Sequence, residues 1–212
     1  MIQLNKVFLN INQKEILSNI SLKIKKNSCF VIMGKNGSGK STLLKIINQL
    51  ILPTRGKAIF TYDASAPMLF QKPIWFDNTV DFNFQILQKI KKHQTNYNWY
   101  KKFGLDKINN QKFTTLSGGE KQKVFLSRIM SFDQDIIMMD EPNQSLDLQN
   151  EKLLLHLLNE EKKHKTLILT LHDFELAKQI ADEIIYLDKG KIRLAGSNQE
   201  FFTNFHKLMK KN

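Results

Sequence analysis

The sequence predicts a single α/β domain, residues 1–212, with a mainly parallel β-sheet, a small N-terminal antiparallel β part and a compact helical subdomain at about 74–117. Three short apolar runs, at 29–33, 136–139 and 166–171, carry this prediction. Each run is too short for a helix and ends directly in glycine or polar residues, and segments with helical patterns separate them. This alternation is typical of buried parallel strands joined by crossover helices.

The other elements follow from local patterns along the chain. Ile20, Leu22 and Ile24 alternate as on one face of a strand, and the segment 54–66 has room for a reduced antiparallel sheet. Two apolar segments flank Asp188-Lys189-Gly190, which predicts a β-hairpin. Helical patterns predict helices at 43–50, 84–92, 98–103, 118–131, 151–163, 174–181 and near the C-terminal end.

Composition limits the class of protein. The chain has 212 residues, 42% of them hydrophobic and 25% charged, which is ordinary for one globular domain. No apolar run approaches the ~18 residues of a membrane span. The first residues lack the apolar stretch of a secretory signal and Cys29 is the only cysteine, which together predict a cytosolic location.

The net charge of +12 has two interpretations. It fits a surface for nucleic acid or an anionic membrane, but it also fits lysines spread over solvent-exposed faces. Only 3 of the 32 basic residues are arginine, the lysines form no long block, and no RNA-binding or helix-turn-helix signature accompanies them. We therefore favour the second interpretation and expect no nucleic-acid partner.

A glycine-rich segment follows the first apolar run and opens a predicted helix. Its sequence matches the phosphate-binding pattern G-x-x-x-x-G-K-[ST] and comprises Gly34, Lys35, Asn36, Gly37, Ser38, Gly39, Lys40 and Ser41, followed by Thr42. The glycines allow a tight turn in which backbone N–H groups and the positive end of the helix surround phosphates. Lys40 is expected to contact the terminal phosphates, and the Ser41 hydroxyl to ligate Mg²⁺.

Two acidic residues, Asp140 and Glu141, follow the second apolar run. Next to a phosphate loop, Asp140 is expected to hold Mg²⁺ through water. Glu141 is expected to polarise the attacking water as a general base, a role worth ~10²–10⁴-fold in rate. The alternative is that Glu141 merely caps a loop.

A second glycine-rich helix start has the sequence Leu116-Ser117-Gly118-Gly119-Glu120. Ser117 is a good N-cap. Two adjacent glycines are costly at a helix start unless something approaches the backbone closely. We therefore expect Ser117, Gly118 and Gly119 to form a second site for an anion.

This string resembles the signature motif of ABC ATPases, and it lies between the phosphate loop and the acidic pair, in the order of that family. The resemblance covers nearly the whole chain. Gln71, in Phe70-Gln71-Lys72-Pro73, resembles the Q-loop, Ser145-Leu146-Asp147 resembles the D-loop, and His172 resembles the switch histidine. The family has the P-loop NTPase fold.

The resemblance implies an ATPase that encloses ATP and Mg²⁺ between two copies of the chain. Ser117 and Gly119 of one copy would contact the γ-phosphate bound at the other. Gln71 would bind Mg²⁺ and link the site to a membrane partner, and His172 would contact the γ-phosphate. Asp147 would line the interface of the homodimer.

The resemblance also implies the biological role of an ATP-hydrolysing transporter subunit, similar to small importer ATPases. Such a subunit acts with integral membrane permease subunits at the cytoplasmic face of the inner membrane, as a peripheral protein, and an extracytoplasmic solute-binding protein is an optional further partner. Two alternatives stay open: a soluble ABC-type ATPase acting on nucleic acid or the ribosome, and a regulatory protein without activity. The single uninterrupted cassette and the intact catalytic motifs favour transport.

One position departs from the family pattern. The family places an aromatic residue, which stacks on adenine, about two dozen residues before the phosphate loop. Ile11 occupies this place. Weaker selectivity for adenine is therefore expected, and use of GTP stays open.

Overall fold

The computed structural model describes residues 2–61, 66–91 and 96–209. The strands in these ranges are β1 (Ile2–Ile11), β2 (Lys14–Ile24), β3 (Cys29–Gly34), β4 (Arg55–Phe60), β5 (Met68–Leu69), β6 (Ile136–Asp140), β7 (Thr166–Leu171), β8 (Glu183–Asp188) and β9 (Lys191–Ser197). The helices are α1 (Lys40–Ile47), α2 (Val80–Lys91), α3 (Asn98–Lys102), α4 (Gly118–Met130), α5 (Leu148–Glu161), α6 (Phe174–Ile180) and α7 (Asn198–Met209). Short 3-10 turns occur at Leu105–Ile108 and Phe113–Thr115.

Two sheets organise the fold. The larger has the strand order β5-β6-β7-β3-β8-β9, in which β9 pairs antiparallel with β8 and every other neighbouring pair is parallel. The smaller is antiparallel, with the order β2-β1-β4. Strand β7 lies between β3 and β6, so the carboxyl ends of these three strands meet at one edge of the sheet. The predicted parallel sheet and the predicted hairpin are both present.

Both faces of the larger sheet are buried, which explains why its central strands are apolar throughout. Because side chains alternate along a strand, Val31 and Met33 of β3 pack on one core with α4, α5 and α6, whereas Phe30 and Ile32 pack on the other with α1 and the smaller sheet. Strand β7 divides its side chains in the same way. The phosphate loop and the acidic pair thus follow directly on strands that are buried throughout.

Helices α2 and α3 pack on α4 through an aromatic cluster that includes Phe84 and Tyr100, whose ring centroids are 4.4 Å apart. The buried guanidinium of Arg128 in α4 donates to the carbonyl of Ile74 at 3.0 Å, which fixes the segment that leads into α2. None of the described helices is both long enough and apolar enough to cross a membrane.

Several predicted boundaries differ from the structure for local reasons. Helix α1 ends at Ile47 rather than near 50, because Gln49 takes a left-handed conformation with φ of 59°, and Leu50 lies outside the helix, 53% exposed. Helix α5 begins three residues earlier than predicted, because Asp147 caps it. Residue 92 of the predicted helix 84–92 and residues 62–65 of the segment 54–66 lie outside the described residues.

Candidate functional site

The phosphate loop connects the end of β3 to the start of α1 and depends on glycine at both of its ends. Gly34 has φ of 151°, and a Cβ atom there would lie 2.2 Å from the carbonyl oxygen of Leu187. Gly39, the N-cap residue of α1, has φ of 105°, a left-handed conformation that other residues rarely adopt. A larger residue at either end would displace the loop from β8 or from the helix.

The loop leaves polar groups open to a ligand. Ser38 is buried, and its Oγ atom has no hydrogen-bond partner among the described residues. No side chain caps α1 in the described chain, and the first turn of α1 contains no acidic residue, so its N–H groups and positive helix end are not neutralised locally. Unpaired buried polar atoms are rare in native proteins. The loop therefore has the donors that an anion such as a phosphate would satisfy.

Lys40 lies at the bottom of this loop and is 5% exposed. Its Nζ atom donates to the carbonyl oxygens of Gly34 at 2.9 Å and Lys35 at 3.3 Å. Burial lowers the pKa of Lys40, while the negative charges of Glu141 and Asp140 act in the opposite direction. The structure therefore brings the predicted phosphate lysine and the predicted acidic pair into electrostatic range.

Asp140 and Glu141 stand where β6 ends, next to β7. Asp140 is 4% exposed, and its Oδ1 atom accepts a hydrogen bond of 2.5 Å from the hydroxyl of Thr170. The same hydroxyl accepts from the N–H of Glu141 at 2.9 Å. Glu141 has φ of 52°, a strained conformation for a residue with a side chain. The acidic pair is therefore held by the neighbouring strand as well as by its own.

The carboxylate of Glu141 joins the other two predicted catalytic residues. Its Oε2 atom accepts from Nε2 of Gln71 at 3.3 Å, and its Oε1 atom contacts Nε2 of His172. The Glu141 side chain is 14% exposed and that of His172 is 41% exposed. These contacts suit a base that is shielded yet can still reach a water molecule. The role of Glu141 as a general base stays a prediction.

The second glycine-rich helix start forms a capping box. Ser117 donates from its N–H and its hydroxyl to the carboxylate of Glu120, and the N–H of Glu120 donates back to the Ser117 hydroxyl. The hydrogen bonds from Ser117 lower the pKa of Glu120. Among the described residues, the hydrogen bonds of the Ser117 side chain go to Glu120, not to the phosphate loop. These hydrogen bonds therefore do not connect Ser117 to the phosphate loop of the same chain.

Ser145 of the same chain packs closely against Gly119. A Cβ atom on Gly119 would lie 2.9 Å from the carbonyl oxygen of Ser145, whereas one on Gly118 would lie 3.4 Å from the Cβ atom of Ser145. The sequence alone attributes the glycine pair to a ligand. The structure adds a packing reason for Gly119 that Gly118 does not share.

We expect Gly119→Ala to destabilise the folded chain by about 1–3 kcal/mol, the usual cost of overpacking. Gly118→Ala is the matched control and should not lower stability, because its contact is ordinary and alanine is the better helix former. Urea unfolding without nucleotide measures both effects apart from any phosphate contact. Equal midpoints for the two variants would contradict this explanation of Gly119.

Two further predicted residues lie at structural positions of their own. Asp147 is the N-cap of α5 and accepts from the N–H of Asn150 at 2.8 Å, which lowers its pKa. Ile11 ends β1, pairs with Lys14 across the hairpin turn and is 44% exposed. Ile11 therefore does not belong to the hydrophobic core. The predicted role of Asp147 at a dimer interface stays a prediction.

Sequence reasoning missed two residues that support the site. Thr170 binds both acidic residues, and its only sequence signal is a polar residue inside the apolar run that precedes His172. Gln122 of α4 donates to the carbonyl of Pro142 at 2.8 Å, next to Glu141. A glutamine at a helix start carries no signal that could identify this contact.

A phosphate loop follows β3, an acidic pair stands at the end of β6, and a glutamine after β5 and a histidine after β7 contact that pair. This arrangement defines a nucleotide hydrolase of the P-loop class. Comparison with known proteins specifies the family. The sequence profile of the ABC transporter family matches residues 17–144. The chain belongs to this family and is the ATP-binding and ATP-hydrolysing subunit of an ABC transporter.

Individual relatives agree with this assignment. The chain is 31% identical to the phosphate import ATP-binding protein PstB of Saccharolobus solfataricus, an alignment that covers 95% of this chain and 90% of that protein. It is 34% identical to the zinc import ATP-binding protein ZnuC of Wigglesworthia glossinidia brevipalpis, over 89% of this chain and 83% of that protein.

A solved structure agrees as well. The dimer of the ATP-binding cassette MJ0796 in a post-hydrolysis state, bound to ADP and phosphate, has a TM-score of 0.79 and 26% identity, covering 93% of this chain and 99% of that chain. The predicted fold class, family and ATP chemistry are therefore confirmed.

Proposed function

We propose that this chain energises the import of a solute through separate permease subunits, by binding ATP between two copies of itself and hydrolysing it. The observation that carries the proposal is the continuity between the catalytic cluster and an exposed apolar groove. Gln71, which contacts Glu141, lies in the segment 70–76 that forms one side of this groove. PstB and ZnuC, the curated relatives described above, are import ATP-binding proteins by name.

The proposed hydrolysis follows from the geometry at the sheet edge. The phosphate loop and Lys40 would hold the phosphates, and Glu141 would accept a proton from the attacking water. His172 would orient Glu141 and contact the γ-phosphate. Gln71 would respond to the nucleotide, because Gln71 and His172 both contact the carboxylate of Glu141.

The oxygen atoms near the phosphate loop suit Mg²⁺. The Ser41 hydroxyl, the Asp140 carboxylate and the Gln71 amide oxygen are hard donors, which this ion prefers. The described residues include no group of three or more His, Cys, Asp and Glu side chains that could hold a metal. Mg²⁺ at phosphate-transfer sites usually binds one or two carboxylates and the phosphates. Bound there, it would neutralise charge on the phosphates.

The second copy of the chain would complete the nucleotide site. Ser117 and Gly118 are exposed and Gly119 is half-buried at this helix start, and the hydrogen bonds of the Ser117 side chain stay within the capping box. An anion would fit such a helix start. MJ0796, which forms a dimer with ADP and phosphate, is a precedent for this assembly in a related cassette.

The apolar groove is the proposed contact with the permease. It has a volume of about 260 Å³ and is lined mainly by apolar side chains, among them Phe70, Pro73, Ile74, Phe76 and Leu87. Ile74 is 76% exposed and Phe76 is 43% exposed, which is unusual for large apolar residues unless a partner covers them. A short apolar loop of a membrane subunit would fit here and would hold the chain peripherally at the cytoplasmic face of the membrane.

We expect Ile74→Asp to abolish co-purification of an integral membrane protein with this chain from detergent-solubilised native membranes, while isolated ATPase activity stays unchanged. Ile90→Asp is the matched control, because Ile90 is 67% exposed on α2 but does not line the groove. Mass spectrometry of the captured complex would identify the permease and any solute-binding protein. Capture of ribosomes or nucleic acid in place of a membrane protein would contradict the transport proposal.

A further inference from the structure

The hydroxyl of Thr170 occupies a central position between the two acidic residues. It donates to Oδ1 of Asp140 at 2.5 Å and accepts from the N–H of Glu141 at 2.9 Å. A hydroxyl can do both, since it has one donor and two acceptor positions. Thr170 is fully buried between Leu169 and Leu171, so no solvent competes for these bonds.

The contact determines how the chain leaves β6. Asp140 and Thr170 are register partners in the parallel pair β6–β7, and the next residue, Glu141, adopts φ of 52°. Such a conformation persists only where the surroundings hold it. The N–H of Glu141 is bound by both oxygens of Thr170, at 2.9 Å by the hydroxyl and at 3.2 Å by the carbonyl. The Glu141 carboxylate then reaches Gln71 and His172.

We propose that Thr170 is a positioning residue for ATP hydrolysis: its hydroxyl aims the Asp140 carboxylate at the metal position and fixes the turn that delivers Glu141 to the attacking water. This inference rests on the proposed roles of Asp140 and Glu141. If Thr170 has this role, loss of its hydroxyl must change both the turnover rate and the Mg²⁺ concentration that turnover needs. Loss of a buried hydrogen bond elsewhere in β7 must change neither.

The test compares Thr170→Val with two controls. Thr170→Ser keeps the hydroxyl. Thr166→Val removes a second buried hydroxyl from the same strand, one that accepts from the N–H of Asn27 at 3.0 Å, and leaves the acidic pair untouched. We expect Thr170→Val to lower kcat about 10-fold or more, with KM for ATP changed less than 3-fold. We expect it also to raise the Mg²⁺ concentration needed for half-maximal rate. Thr170→Ser and Thr166→Val should retain turnover.

A second measurement does not depend on turnover. In a Glu141→Gln background, light scattering would follow formation of the ATP-bound dimer as Mg²⁺ is varied, and Thr170→Val should shift the curve to higher Mg²⁺. If Thr170→Val does not fold, Thr170→Cys replaces it, because a thiol of similar size is a weak donor. Unchanged kcat and Mg²⁺ dependence in the valine or cysteine variant would overturn the inference.

The outcome separates this inference from the proposed function. If wild-type protein hydrolyses ATP and Glu141→Gln does not, the proposed catalytic assignment stands, and only the Thr170 variants decide the positioning role. If Glu141→Gln hydrolyses ATP at the wild-type rate, the proposed general base is wrong, and the role of Thr170 toward it fails with that assignment.

Discussion

Glu141→Gln is expected to lower ATP turnover by roughly 10²–10⁴-fold, the usual contribution of a positioned general base. Glutamine has nearly the same shape, so it can still contact Gln71 and His172, but its amide cannot accept the proton of the attacking water. ATP binding should persist, because the phosphate loop is unchanged. The variant should therefore accumulate as an ATP-bound dimer, which size-exclusion chromatography with and without ATP would detect.

The control for this experiment is Glu160→Gln. Glu160 lies in α5, is exposed and pairs only with Lys163, three residues away, in the described structure. Exposed pairs of this kind contribute little, so turnover should match that of the wild type. Normal turnover by Glu141→Gln would mean that another group accepts the proton.

Lys40→Ala is expected to act on ATP binding, whereas Glu141→Gln acts on turnover. It should weaken ATP binding about 10- to 100-fold. A hydrogen bond to a charged group contributes about 1.5–3 kcal/mol, and each 1.4 kcal/mol is a factor of ten in affinity. Lys40 is buried in the loop, and its ammonium is now bound by two backbone carbonyls, which the phosphates of ATP would replace. Isothermal titration calorimetry with ATP would measure the loss.

Lys57→Ala is a suitable control, because Lys57 is an exposed residue of β4 and the substitution removes the same positive charge as Lys40→Ala. Its ATP affinity should equal that of the wild type. Thermal unfolding without nucleotide would show whether Lys40→Ala remains folded. A folded Lys40→Ala protein with wild-type affinity would contradict the assignment of Lys40 to the phosphates.

The features that sequence could predict are those with a local signal. The phosphate loop is a contiguous pattern, and the acidic pair directly follows an apolar run, so both were predictable without the fold. Thr170 could not be predicted in this way, because its contact with Asp140 depends on the register between β6 and β7, which lie 30 residues apart in the chain.

Gly119 illustrates a second reason why sequence reasoning is incomplete. A glycine pair at a helix start fits both a ligand and a packed neighbour, and only the position of Ser145 reveals the second requirement. The end of α1 was also mispredicted, since the left-handed conformation of Gln49 stops the helix although Leu50 continues the apolar spacing.

The two contacts of α4 with the loop after Glu141 connect the two nucleotide sites of a dimer of the proposed kind. Gln122 donates to the carbonyl of Pro142, and Gly119 packs against Ser145, so the start of α4 and this loop are in direct contact at two points. In a dimer of the proposed kind, that helix start serves the nucleotide of the other copy. In that dimer, a displacement of the loop after Glu141 in one copy would be passed on to the helix start that faces the nucleotide of the other copy.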